Sequence, residues 1–178
     1  MGKIRPPQKV KWIYGVLFRD PAVWEEARRR IEAHFGPIDL VSEYYPFIET
    51  TYYEAEMGAK LTRCYVSLQE LRNPEELVHG KQLSNLWEEQ FSENGRRRIN
   101  LDPGYLGESN LVLASTKNFS QRIYLGRGIY GEVTMVYTHG DFVKLPWTYP
   151  DYWHHKDFFL MVRKIYQNQL KELTAGKG

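Results

Sequence analysis

Val10-Lys11-Trp12-Ile13-Tyr14-Gly15-Val16-Leu17-Phe18 is apolar on both faces of an extended chain. Val10, Trp12, Tyr14, Val16 and Phe18 share one face, and Ile13 and Leu17 share the other. Such a strand belongs in the middle of a sheet that is covered on both sides. The next residues change period. Asp20-Pro21 supplies an N-cap and a proline at the first helical position. Trp24, Ala27, Ile31 and Phe35 then recur at helical spacing, and Gly36-Pro37 stops the run.

Outward from this unit, residues 38–45 read as a second strand broken at Pro46, and residues 61–68 as a third. A polar, aromatic stretch, Thr50 to Gly58, separates them. Asn73-Pro74-Glu75-Glu76 is a capping box that opens a second helix, with Leu77, Leu83, Trp87 and Phe91 inward and Gly95 closing it. Residues 97–101 form a short fourth strand, and Asp102-Pro103-Gly104-Tyr105 suits a type II turn. The order β-α-β-β-α-β predicts an α+β protein with a ferredoxin-like antiparallel sheet and both helices on one face. The last third extends it. Strands are expected at 110–116, 121–125 and 129–137, the last two joined by a Gly126-Arg127-Gly128 hairpin. A final helix after Trp147 carries Phe158, Val162, Ile165, Tyr166 and Leu173. The expectation is a single domain over 1–178, with 1–9 and 175–178 as loose ends.

Composition narrows the function classes. The formal charge is +2, from 24 basic and 22 acidic residues, which gives no general affinity for nucleic acid. Cys64 is the single cysteine and reads as a small buried hydrophobe in a strand, so no disulfide framework exists. No secretory or membrane-spanning pattern stands out, so the expected location is the cytoplasm and no membrane partner is expected.

The motifs mostly fail their structural tests. Gly126-Arg127-Gly128-Ile129-Tyr130-Gly131 matches G-x-G-x-x-G, but a strand pattern follows it where a dinucleotide site needs a helix. Glu132-Val133 stands where a phosphate loop needs lysine and a hydroxyl, which puts an anion where phosphate would lie. The five histidines show no helical ligand spacing and no serine elbow occurs, so no metal ligand is assigned and the identity of any cofactor stays open. Donors are densest between Arg96 and Arg127. Arg98, Asn100 and Asp102 alternate along one expected strand, and Ser120, Arg122 and Tyr124 along another. If those faces meet, Arg98, Lys117 and Arg122 hold an anion, Asn100, Asn118 and Ser120 add hydrogen bonds, and Tyr124 or Tyr149 stacks on a base. Asp102 is then the candidate general base. A salt-bridged, solvated sheet surface explains the same residues.

Asn100-Leu101-Asp102-Pro103-Gly104-Tyr105, Arg122-Ile123-Tyr124-Leu125-Gly126 and Trp147-Thr148-Tyr149-Pro150-Asp151-Tyr152, in that order, resemble a prokaryotic family catalogued as domain of unknown function 4416. The resemblance covers nearly the whole chain. Its members often carry the automatic label "GTP-binding protein", which implies a nucleotide or another phosphorylated small molecule as partner. No catalytic residues come with it. The chain lacks N-K-x-D, and Asp102-Pro103-Gly104 is one residue short of D-x-x-G. Two other readings compete: a protein–protein adaptor or homodimer with exposed aromatic anchors, and a single-stranded RNA platform stacking bases on Tyr14 and Tyr65. The near-neutral charge disfavours the second.

Overall fold

A computed structural model describes residues 2–175. The α+β class holds, with one fully antiparallel nine-stranded sheet in place of the smaller one expected. Its strands are β1 (Val10–Phe18), β2 (Ile38–Val41), β3 (Tyr45–Pro46), β4 (Thr62–Arg72), β5 (Ile99–Leu106), β6 (Asn110–Ser115), β7 (Arg122–Gly126), β8 (Ile129–Thr138) and β9 (Asp141–Lys144). The helices are α1 (Pro21–Phe35), α2 (Glu54–Met57), α3 (Leu77–Gln90), α4 (Pro150–His154) and α5 (Lys156–Ala175). The spatial order is β2-β4-β1-β5-β6-β8-β7, with β3 on β4 and β9 on β8.

β1 is central and buried along its whole length. Its face of Trp12, Tyr14, Val16 and Phe18 packs with Trp24, Ala27, Ile31 and Phe35 of α1 and with Leu77 and Trp87 of α3. Both helices therefore cover one face. On the other, Ile13 and Tyr65 pack against Tyr152 of α4 and Phe158, Phe159 and Val162 of α5. α1 begins as expected: Ala22 N–H donates to the Asp20 side chain at 2.9 Å. The capping box at Asn73 forms too, but opens a 3-10 turn (Pro74–Glu76) that runs on into α3. The hairpin tip has Gly126 and Gly128 at φ 119° and 78°. Cys64 is fully buried in β4, and burial pushes its thiol up to about 12.

Several expectations are corrected. Tyr14 and Tyr65 are both fully buried and lie on opposite faces, because Tyr65 pairs with Gly15, one residue beyond Tyr14. Neither can stack on a base. The second strand stops at Val41, and α2 and β9 are short elements that the sequence does not predict. Ala175 ends α5, while residues 176–178 fall outside the described residues; residues 2–9 carry no regular structure. Residues 102–105 make no turn but continue β5. No helix among the described residues is long and apolar enough to cross a membrane.

Candidate functional site

Pro103-Gly104 belongs to a fork in the sheet. β5 pairs with β1 from Ile99 to Leu106, but with β6 only from Gly104 to Leu106. At Gly104 the β6 backbone comes so close that a Cβ would meet the Val112 carbonyl at 2.4 Å. Leu101 turns its N–H and C=O away from β1, and by strand alternation Pro103 does the same with no N–H to donate. The ladder ends there and the two strands part. Side chains of α3 take over its backbone: Leu101 N–H donates to Glu88 at 2.6 Å, and Lys81 donates to the Leu101 carbonyl at 3.0 Å. Lys81 and Glu88 are buried for this reason.

The parted strands bound a cleft of about 550 Å³, within the range of small-molecule sites. Its floor holds Arg63 of β4, Lys81 of α3, Asp102 of β5, and Asp151 and Tyr152 of α4. Arg63 is 4% exposed, with Nη2 at 2.8 Å from Asp151 and Nη1 at 3.8 Å from Asp102. Its Nε and Nη1 have no hydrogen-bond partner, nor do the Tyr152 hydroxyl and Asp151 Oδ2; the close Arg63–Asp151 contact is an ion pair without hydrogen-bond alignment. Lys81 stands 3.5 Å from the other Asp102 oxygen, and Asn100 donates to Asp102 at 2.7 Å. Burial raises the Tyr152 hydroxyl pKa well above its ordinary value. Burial also raises the Glu88 carboxyl, against the opposing pull of Lys81 and the Leu101 N–H.

The rim comes from the segment between β3 and β4, the β6–β7 loop and the residues just before α4. Tyr52, Phe119 and Tyr149 line it and are 61%, 54% and 40% exposed. Lys117 donates to the Tyr52 hydroxyl at 3.1 Å and lies 4.9 Å from its ring centre. Five cations and five carboxylates line the whole: Arg63, Lys81, Arg97, Lys117 and Arg122 against Glu49, Glu88, Asp102, Glu132 and Asp151. Four of the cations have a carboxylate within 4 Å, through Arg63–Asp151, Lys81–Asp102, Arg97–Glu88 and Arg122–Glu132. Lys117 has only Tyr52, and Glu49 meets His154 outside the cleft.

Of the residues expected from sequence, the cleft gathers Asn100, Asp102, Lys117, Arg122 and Tyr149. Arg98 is not among them. It precedes β5 and turns to Asp20 at 2.6 Å, in a separate depression beside the start of α1. Asn118 and Ser120 are exposed in the loop, and Ser120 bonds only its neighbour Gln121. Tyr124 caps the hairpin, accepting from Gly128 N–H at 3.2 Å. Arg122 is already engaged within the protein. Its nitrogens go to Glu132 at 2.8 Å, Ser115 at 2.8 Å, the Lys117 carbonyl at 3.0 Å and the Tyr149 hydroxyl at 2.9 Å. It positions the Lys117 loop and the Tyr149 ring. Burial, with Glu132 nearby, pushes the Tyr149 hydroxyl up to about 12. Sequence reading missed Arg63, Lys81, Glu88, Asp151 and Tyr152. One signal pointed to them, a charged residue within an apolar strand at Arg63, flanked by Cys64-Tyr65-Val66.

A family model for a domain of unknown function (DUF4416) matches residues 8–166. The chain belongs to this family. The match spans all nine strands, α1 to α4 and more than half of α5, and so takes in every residue lining the cleft. Among curated proteins and among solved structures, none matches the chain.

Proposed function

We propose that this protein binds a small molecule in the cleft at the β5–β6 fork, one with a polar head and an anionic group, such as a nucleotide or a phosphorylated sugar. One observation carries this reading: the floor buries Arg63 with two nitrogens unpartnered beside the unpartnered Tyr152 hydroxyl. A buried polar atom without a partner costs roughly 1–3 kcal/mol, so a floor with several favours a ligand that supplies acceptors. The floor's mixed donors and acceptors suit a base or sugar head, and the aromatic rim adds flat apolar faces beside it. Asp102, between Lys81 and Arg63, is the carboxylate to accept a ligand proton if the protein also does chemistry. The unit β2-β4-β1-β5 with α1 and α3 is, in this reading, a ferredoxin-like βαββαβ half to which β6–β9 were added, the cleft forming at the join.

A thermal-shift screen with nucleotides and sugar phosphates tests it. A ligand at a hundred times its Kd stabilises by about 2.7 kcal/mol. At roughly 2–4 °C per kcal/mol for this size, the midpoint rises about 5–11 °C. Arg63→Lys, which keeps the charge but loses the fork of donors, is expected to remove most of that rise. Arg29→Ala, 70% exposed on α1, is expected to keep it. Unchanged melting across all ligands overturns the reading.

A second reading rests on β7. This edge strand pairs only with β8 and exposes Ile123, Tyr124 and Leu125 at 72%, 58% and 45%. Three consecutive apolar residues on an open edge favour pairing with the same edge of a second copy. Solution mass by light scattering tests it: a dimer that Ile123→Lys converts to monomer supports it, and a monomer at high concentration removes it.

A further inference from the structure

Within the small-molecule reading above, we infer the charge and orientation of the ligand: an uncharged head bearing both donors and acceptors lies on the floor, and one anionic group of low charge sits at the rim on Lys117. The shared chemistry is that of a nucleoside monophosphate or a sugar monophosphate. The inference rests on how the charges are paired. The floor sets Arg63 and Lys81 against Asp151 and Asp102, two cations to two carboxylates, so it has no net charge to offer an anion. It offers donors and acceptors side by side: the unpartnered Arg63 Nε and Nη1, the Tyr152 hydroxyl and Asp151 Oδ2, with the Asp102 carboxylate beside them. A neutral group with both kinds of edge, such as a base or a sugar diol, satisfies that set, whereas an anion there meets two carboxylates.

At the rim the balance differs. Lys117 is the one cation lining the cleft, among the described residues, with no carboxylate within 4 Å. Its ammonium faces a hydroxyl and an aromatic ring, neither of which neutralises it. Arg122 nearby adds no free charge, since Glu132 is 2% exposed and 2.8 Å from its Nε. One unneutralised ammonium offsets a large part of a monophosphate's charge of about −1.5 to −2, and a smaller part of a triphosphate's. Further phosphates would meet only cations already paired, next to the carboxylates that pair them.

Calorimetric titration of the folded full chain tests this, with nucleoside monophosphates, the matching nucleosides and triphosphates, and hexose monophosphates as probes. At least one monophosphate is expected to bind about tenfold more tightly than the matching uncharged nucleoside or sugar. The triphosphate should bind no more tightly than the monophosphate. Lys117→Ala should remove the monophosphate's advantage while leaving the nucleoside or sugar affinity unchanged, which a structural role would not do. Asp102→Asn, checked first for a native melt, adds one net positive charge to the floor. It should shift preference toward the triphosphate. Base-bearing probes winning over hexose phosphates identifies the head as a nucleobase, and the reverse as a sugar; either outcome supports the orientation. Binding in which triphosphates win in the unaltered protein, or in which Lys117→Ala weakens nucleoside and monophosphate equally, overturns this inference and leaves the cleft reading standing. No heat from any probe overturns both.

Discussion

Gly15 has no side chain, and the Tyr152 hydroxyl occupies the space one would need: a Cβ there would lie 2.0 Å from that oxygen. The gap in β1 is what lets α4 lower Tyr152 onto the sheet beside Arg63. Sequence showed this glycine only as a break in an apolar run. Three residues on, just past the end of α4, His155 stacks on Tyr45 with ring centres 3.6 Å apart. Burial lowers its pKa from the ordinary 6.5, against the pull of Asp151 and Glu49 and with the help of His154 and Arg63. The sign follows. The unfolded chain takes up this proton first, so the stability that neutral His155 contributes is full above the ordinary value and is lost as pH falls through the lower folded one. The thermal midpoint should therefore drop between about pH 7 and pH 5. His155→Phe, which keeps a ring against Tyr45, should show a shallower fall over that window. Equal slopes in the two proteins would assign the acid sensitivity elsewhere.

At the scale of elements, Pro and Gly meant different things in two places. Gly126-Arg127-Gly128 was legible as a hairpin tip because two strand patterns flank it, and all three residues have positive φ. Gly128 sits at φ 78° with open space around a would-be Cβ, so any penalty for a side chain is conformational rather than steric. Gly128→Val should cost about 1–3 kcal/mol in chemical denaturation. A variant as stable as the parent would show that the hairpin tolerates another turn. Pro103-Gly104 carries the same local turn signal, yet it lies within β5. The difference is non-local. β1 pairs along the whole of β5 and holds it extended, while the missing N–H of Pro103 acts on the other side, where it ends the ladder with β6.

At the scale of the molecule, α5 closes the second face of the sheet and is pinned by a buried polar group. Lys11 of β1, fully buried, meets Asp39, and donates to Gln169 of α5 at 2.9 Å; Gln169 in turn donates to the Gln69 carbonyl at 2.6 Å. Burial lowers the Lys11 pKa, against the attraction of Asp39. The sequence by itself determined most of the elements, because they follow from period, caps and breakers carried by neighbouring residues: the covered strand β1, helix α1 with its Asp20 cap, the box at Asn73, the glycine hairpin and the Phe158, Val162 and Tyr166 stripe of α5, though Leu173, expected inward, is exposed. Of the donors and stacking partners it marked, Asn100, Asp102, Lys117, Arg122 and Tyr149 lie in the lining of the cleft. Only the tertiary structure decided which donors remain free. Arg98 and Arg122 looked equivalent to Lys117 as cations, but Asp20 takes the first and Glu132 the second. Arg63, Lys81 and Asp151, spread over three elements, became a floor only when β4, α3 and α4 met at the fork. Charge pairing is a through-space quantity that falls off over a few ångströms, and no local pattern along the chain records which carboxylate will arrive beside which cation.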